Sequence, residues 1–401
     1  MTDFIADLIQ VLRKQMDSCE IYQKSCEKCG ITTGDELEML VESNDWASIP
    51  AISDRMFKRS GWLYAKLKYD GVPGSWSVSS STSGDPSYVW RTAADEKVIV
   101  DAYMQCYRKA TKPDLDVMIS FAPSLGFLNH LSKRFDLKDG NVAKVQAVMA
   151  TKAAQNVTSK QYLDLVMLNV PKTIWQTKVK KIPRPVLEIK TKVLQSMLTR
   201  ARGDDSSVCL GGSAIFMNQA FGSSETFSTV KDAFVLSGGG GWDGTKGAVQ
   251  TGKIDKAKFV ETVGDKIGIP AAEREQRFWD NYGITEKAFS CVGSWDVSRN
   301  DFIYNTDGLY PETKVIACDL LSGELVTEGK GVIRIISPYG NDGATTAAIE
   351  ESDEITVLSA NQDGSVKQFM AIKRLPMQEV DGVQAIDKFG CTGHVGAVKI
   401  R

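Results

Sequence analysis

The chain has 401 residues with 50 acidic and 48 basic side chains, a formal charge of -2, so no broad positive field draws it to nucleic acid. Hydrophobic residues make up 42%, enough for two or three packed units, yet no apolar run reaches the roughly 20 residues needed to span a bilayer. Eight cysteines without a dense framework and a start, Met1-Thr2-Asp3-Phe4, with no export signal predict reduced thiols in the cytoplasm, and with His130 and His394 as the only histidines a His-rich metal site is excluded.

Residues 4 to 45 read as helical, because Phe4, Ile5, Leu8, Ile9, Val11 and Leu12 recur at helical spacing. Gly30 to Gly34 break that run, and Asp35 to Val41 form a second short helix. Residues 71 to 91 turn to Gly, Pro and Ser before Tyr88-Val89-Trp90 resumes as a strand. Residues 94 to 111 read as a helix, Asp116 to Phe121 as a buried strand, 142 to 170 as a helix and Val186 to Arg202 as another. Val208-Cys209-Leu210 and Phe234-Val235-Leu236-Ser237 are short apolar runs ending in glycines. Helices alternating with such strands predict an α/β sheet, whose ligands bind beyond the carboxyl ends of the strands. From about residue 300 the text is β-rich, with Lys314 to Cys318, Gly331 to Ser337 and Ile355 to Leu358 as strands.

Three segments carry chemistry. Ser79-Ser80-Ser81-Thr82-Ser83-Gly84-Asp85-Pro86 is a hydroxyl-rich turn able to offer donors to a polyphosphate. No Gly-Lys-Ser or Gly-Lys-Thr follows, so it is not a Walker loop. Ser237-Gly238-Gly239-Gly240-Gly241-Trp242 follows a strand and can bring bare backbone to a flat ring. Asn281-Tyr282-Gly283-Ile284-Thr285-Glu286 puts an aromatic ring, a hydroxyl and a carboxylate within five positions. Taken singly, each also reads as an ordinary loop or turn.

In this order and spacing the three segments resemble the adenylate-forming superfamily of acyl-CoA synthetases, luciferases and nonribosomal adenylation domains. The first is similar to its phosphate loop, with Ser81 where a glycine is usual. The second is similar to its adenine-binding strand and turn, and the third matches its Tyr-Gly-x-Thr-Glu motif in full. Ser352-Asp353 falls where that superfamily has its ribose aspartate, although Glu351-Ser352 replaces the usual Thr-Gly. Within the superfamily the chain resembles the LuxE-type acyl-protein synthetases, with phenylacetate–CoA ligases as more distant relatives. That likeness rests on Trp46-Ala47-Ser48-Ile49-Pro50, on Met56-Phe57-Lys58 and on the length.

The resemblance implies an α/β fold, the N-terminal domain of an adenylate-forming enzyme, with two α/β sheet subdomains and a smaller β-rich subdomain. The mobile C-terminal lysine domain is expected to be lacking. The expected organisation is a helical segment over 1–70, the adenylate-forming core over 71–300 and the β-rich unit over 301–401. It implies ATP and Mg2+ as cofactors and activation of a carboxylic acid, fatty or aromatic, to its acyl-adenylate. Transfer to a thiol or other acceptor follows, with an acyl-accepting or reductase partner protein. The alternatives are an amide-forming ligase for an aromatic acid and a non-catalytic nucleotide-binding subunit. Ser79, Ser80, Thr82, Ser83 and Gly84 would hold phosphates. Gly238, Gly239, Gly240, Tyr282 and Gly283 would hold adenine, and Asp353 ribose. Thr285 would hold the α-phosphate and Glu286 the metal. Phe121 to Phe127 and the surroundings of Trp242 would shape the acyl pocket. Cys391, in Gly390-Cys391-Thr392-Gly393-His394, would accept the acyl group.

Other features are weaker. Cys26-x-x-Cys29 lacks four zinc ligands and lies at a helix end rather than on a redox turn. Lys172, Lys178, Lys180, Lys181 and Arg184 read as a solvated basic face.

Overall fold

The computed structural model describes residues 3–58, 73–79, 87–123, 143–169, 186–246, 249–250, 252–375 and 397–400. The chain opens with three helices, α1 (Phe4–Ser18), α2 (Glu20–Lys28) and α3 (Gly34–Glu42). The Asp3 carboxylate caps α1 by accepting from the Ile5 N–H. Phe4, Leu8, Leu12 and Met16, each four residues apart, form its buried stripe. Thr33 and Glu36 start α3 with a reciprocal capping box. These helices pack on the far end of the chain, against Ile316, Cys318, Ile336 and Ile349. Ile52–Ser53 pairs in parallel with Ile349–Glu350.

The main sheet has 14 strands. Its parallel block runs in the spatial order Phe278–Ile284, Ala233–Gly238, Val208–Gly212, Leu115–Pro123, Thr158–Asn169. Successive side chains alternate between two buried faces, as a covered parallel sheet requires. Val117, Ile119, Leu210 and Val235 meet helices α6 (Thr191–Gly203), α7 (Ala214–Phe221) and α8 (Lys256–Ile267). Met118, Cys209, Phe234 and Leu236 meet α4 (Ala93–Ala110) and α5 (Ala147–Asn156) on the other face. Beyond Phe278–Ile284 the sheet becomes antiparallel, through Phe289–Asp296, Asp301–Asn305, Val366–Arg374, Ala348–Ala360, Gly329–Ile336 and Lys314–Cys318. A smaller sheet joins Tyr88–Thr92, Gly74–Val78 and Ala143–Val145.

Two helical expectations are corrected. Residues 143–169 form a strand, then α5, then the Thr158–Asn169 strand, not one helix. Val186–Ile189 is a strand antiparallel to Val166–Asn169, and the helix begins only at Thr191. Thr158–Asn169 completes the edge left by Leu115–Pro123, and Val186–Ile189 pairs with Thr158–Asn169 in turn, so ladder pairing overrides local helical spacing. Among the described residues no helix is long and apolar enough to cross a membrane.

Candidate active site

The Phe278–Ile284 strand is where the sheet changes from parallel to antiparallel. Its carboxyl end is therefore the place where flanking strands diverge and leave room for a ligand. Asn281 pairs with Gly238 across it. Gly239, Gly240 and Gly241 all have positive φ, at 72°, 68° and 96°. Such a run is open to glycine and strained for other residues. A Cβ on Gly240 would meet nothing within 4 Å, so this backbone faces open space. Contrary to a simple turn, Asn281–Ile284 is strand, and the turn begins at Thr285.

Beneath the glycines, buried Asp280 accepts from Ser237 Oγ at 2.5 Å, from Trp242 Nε1 at 3.3 Å and from Tyr304 Oη. Burial pushes its carboxyl up despite these donors. The half-buried Trp242 ring lies 5.2 Å from Phe259 and 5.6 Å from Phe302, with Lys256 Nζ 5.6 Å from its centroid. Phe121 is fully buried against Phe221 and belongs to the core.

Tyr282 Oη donates to Asp353 Oδ2 at 2.8 Å, across 71 residues of sequence. Its ring is held edge-on by Phe289, Tyr304 and Phe369. Burial, then the Asp353 charge, pushes the phenol well above its ordinary range, so it stays a donor. Asp353 Oδ1 accepts from Arg374 Nη1 at 3.1 Å. Arg374 also reaches Asp54 Oδ2 at 2.5 Å and lies 3.4 Å from Glu351 Oε2. Burial alone would lower the Arg374 pKa, but Asp353, Asp54 and Glu351 outweigh it and raise it. Burial would likewise raise Asp54, and Lys58 and Arg374 outweigh it and hold it low. Lys58 Nζ is 2.9 Å from Asp54 Oδ2.

The Thr285-Glu286 turn is fixed from beneath. Fully buried Arg91 donates through Nη1 to the Gly340 carbonyl at 2.6 Å. Its Nη2 donates to the carbonyls of Thr285 at 3.0 Å and Glu286 at 2.9 Å. Gln146 Nε2 donates to the Ile284 carbonyl at 2.8 Å, and its Oε1 accepts from Ser77 Oγ at 3.1 Å. Lys287, also fully buried, donates to the carbonyls of Ser337 and Tyr339 and to Asn341 Oδ1. Burial, then Arg91 beside it, pulls the Lys287 pKa well down. Glu286 itself is 5% exposed.

Arg91 and Ser77 sit on the two strands that flank the hydroxyl-rich turn, so the base of that turn is tied to Thr285-Glu286. Ser79 closes the base: its N–H donates to the Ser87 carbonyl, and its Oγ accepts from the Ser87 N–H at 2.8 Å. Ser80, Thr82, Ser83, Gly84, His130, the basic face from Lys172 to Arg184, and Cys391 with His394 lie outside the described residues. The structure thus brings Gly238, Gly239, Gly240, Tyr282, Gly283, Thr285, Glu286 and Asp353 to one region. Reading the sequence missed Asp54, Arg91, Lys287, Glu351 and Arg374. Single charged residues carry no local signal of burial, and the pairing of Arg374 with Asp54 spans 320 positions.

These residues suit a nucleotide. The glycine run offers open backbone, Tyr282 an aromatic ring, and Asp353 two carboxylate oxygens with further lone pairs free for hydroxyls. Glu286, a buried carboxylate between Glu351 on one side and Arg91 and Arg374 on the other, is of the ligand type a hard cation takes. The architecture defines the class: this is the adenylate-forming fold. A structure of 2-hydroxyisobutyryl-CoA ligase in an open conformation, with 2-HIB-AMP and CoA, superposes with a TM-score of 0.53 at 11% identity, over 93% of this chain and 72% of that one. The same ligase in its postadenylation state with 2-HIB-AMP gives 0.54 at 12% identity, over 93% of this chain and 65% of that one. No protein-family model and no curated protein matches the chain.

Proposed function

We propose that this protein activates a carboxylic acid, fatty or aromatic, as its acyl-adenylate, using ATP. The observation that carries the reading is the Tyr282–Asp353 hydrogen bond at 2.8 Å beside buried Glu286. It supports reading the candidate adenine, ribose and cation residues as one site. The ligase structures that share the fold were solved with 2-HIB-AMP, which supports an acyl-adenylate as the product.

The substrate carboxylate is already ionised at neutral pH and needs no general base. Its oxygen attacks the α-phosphorus, the bond to the β-phosphate oxygen breaks, and pyrophosphate leaves. The chain's task is positioning and electrostatics. The Gly239–Gly241 backbone faces the purine, Tyr282 packs it, and Asp353 accepts from the ribose hydroxyls. The Thr285 hydroxyl donates to the α-phosphate. Ser79, Ser80, Thr82, Ser83 and Gly84 are the candidates for the β- and γ-phosphates. Glu286 would hold a divalent cation, which would neutralise phosphate charge. We expect acid-dependent exchange of labelled pyrophosphate into ATP. ATP binding without exchange, across a panel of fatty and aromatic acids, would leave only a nucleotide-binding protein.

Within the fold we assign the chain to the LuxE-type acyl-protein synthetases, with Cys391 as acyl acceptor. An intramolecular thiol retains a labile product by raising its effective concentration. Incubation with ATP and labelled acid is expected to give a hydroxylamine-labile label on the denatured chain, lost in Cys391→Ser. Equal labelling of that variant removes Cys391 from the reaction.

A further inference from the structure

Glu351 stands where the resemblance calls for a threonine, and it is only 2% exposed. Its Oε2 is 3.4 Å from Arg374 Nη1. Its Oε1 is buried and has no hydrogen-bond partner among the described residues. An orphaned buried carboxylate oxygen costs free energy unless something occupies it.

The surroundings say what kind of group that is. Glu351 and Asp353, two apart on the Ala348–Ala360 strand, both reach Arg374 Nη1, at 3.4 and 3.1 Å. Arg374 is shared by Asp54, Asp353 and Glu351. Lys58 is committed to Asp54. Glu286 forms no direct ion pair among the described residues, yet it stands close enough for its charge to act on Glu351, Arg374 and Arg91. Asp54, Asp95, Glu286, Glu351 and Asp353 stand against Lys58, Arg91, Lys287 and Arg374, one carboxylate more than there are cations. Among the described residues no three carboxylate, thiolate or imidazole groups converge on a metal. Magnesium does not require three, since it is ordinarily bound by one or two carboxylates and completed by phosphate oxygens and water.

We propose that Glu351 is a second protein ligand of the divalent cation held by Glu286, binding it through Oε1. The proposal rests on the adenylation reading for the phosphate oxygens that complete the coordination. It makes the cation site of this chain a pair of carboxylates from two distant segments, one on the turn after Phe278–Ile284 and one on Ala348–Ala360.

The test uses Mn2+ as the probe and the full chain. Binding is followed by loss of the free-ion electron paramagnetic resonance signal, with and without a non-hydrolysable ATP analogue. Glu351→Gln is expected to weaken Mn2+ binding about tenfold or more, as is Glu286→Gln. The double variant should lose little beyond either single one, because both hold the same ion. Mn2+ affinity unchanged in Glu351→Gln overturns the proposal, as does a wild type that binds no Mn2+ even with the analogue. Should Glu351→Gln fail to fold, anomalous scattering from wild-type crystals soaked in MnCl2 decides. An ion at ligating distance from both Glu351 Oε1 and Glu286 supports the proposal, and an ion on Glu286 alone overturns it. Pyrophosphate exchange is scored separately. Exchange with unchanged Mn2+ affinity in Glu351→Gln removes the pair and keeps adenylation. A Mn2+ ion on both carboxylates with no exchange under any acid does the reverse.

Discussion

Glu286→Gln is expected to lower acid-dependent pyrophosphate exchange by about 100-fold or more, the scale set by losing one preorganised electrostatic contact to the transition state. The substitution keeps the shape of the side chain and removes only its charge. A neutral amide oxygen is a poor ligand for a hard cation, so neutralisation of the phosphates is what fails. Stability is expected to move the other way or not at all. The Glu286 charge repels Glu351 and attracts Arg91 and Arg374, each of which has other carboxylates beside it, so its removal relieves a repulsion at the cost of attractions that those carboxylates share. Activity lost while the unfolding midpoint holds or rises is the signature of a charge kept for function against stability. Exchange and urea unfolding measured on one preparation test both halves. Unchanged exchange at saturating Mg2+ would take Glu286 out of the site.

Arg91→Leu is expected to destabilise the chain by about 3 kcal/mol or more and to slow exchange by about tenfold to 100-fold. Three carbonyl oxygens lose charge-assisted donors, at about 1.5–3 kcal/mol each. Relief of the buried guanidinium's desolvation and of its repulsion of Lys287 offsets part of this, while Asp95, 1% exposed, loses one of the two cations that act on it and keeps Lys287. The catalytic effect comes from position. Arg91 joins the Tyr88–Thr92 strand to Thr285, Glu286 and Gly340 at once. Without it the Thr285-Glu286 turn is no longer held against the strand leading from the hydroxyl-rich segment. A shift in urea midpoint at constant slope measures the stability term. A loss below about 1 kcal/mol would mean that Arg91 contributes no more than an ordinary hydrogen bond.

Lys287 is a second buried brace on the same turn, and it shows why such residues escape a reading along the chain. In sequence it is a lysine beside a glutamate, an ordinary solvated pair. In the fold its ammonium group is enclosed by Ser337, Tyr339 and Asn341, some 50 positions away. The same holds for Arg374, whose partners come from Asp54, just after the Ile52–Ser53 strand, and from the neighbouring Ala348–Ala360 strand.

What the sequence by itself determined is local. The four-residue spacing of Phe4, Leu8, Leu12 and Met16 sets the stripe of α1, and the apolar runs at Val208–Gly212 and Ala233–Gly238 set two central strands. The glycines after Leu236 and the order of residues from Asn281 to Glu286 mark the candidate site, because backbone freedom and motif spacing are properties of neighbouring positions. Only the tertiary structure decided that Thr158–Asn169 and Val186–Ile189 are strands, since the first pairs with Leu115–Pro123, some 40 positions back, and the second pairs with the first and with Ala397–Ile400. It alone decided that Tyr282 meets Asp353, that Arg91 and Lys287 brace one turn, and that Glu351 is left with an unused oxygen. Burial and pairing across tens to hundreds of residues depend on which surfaces the sheet brings together, and a charged side chain carries no mark of that until the sheet is formed.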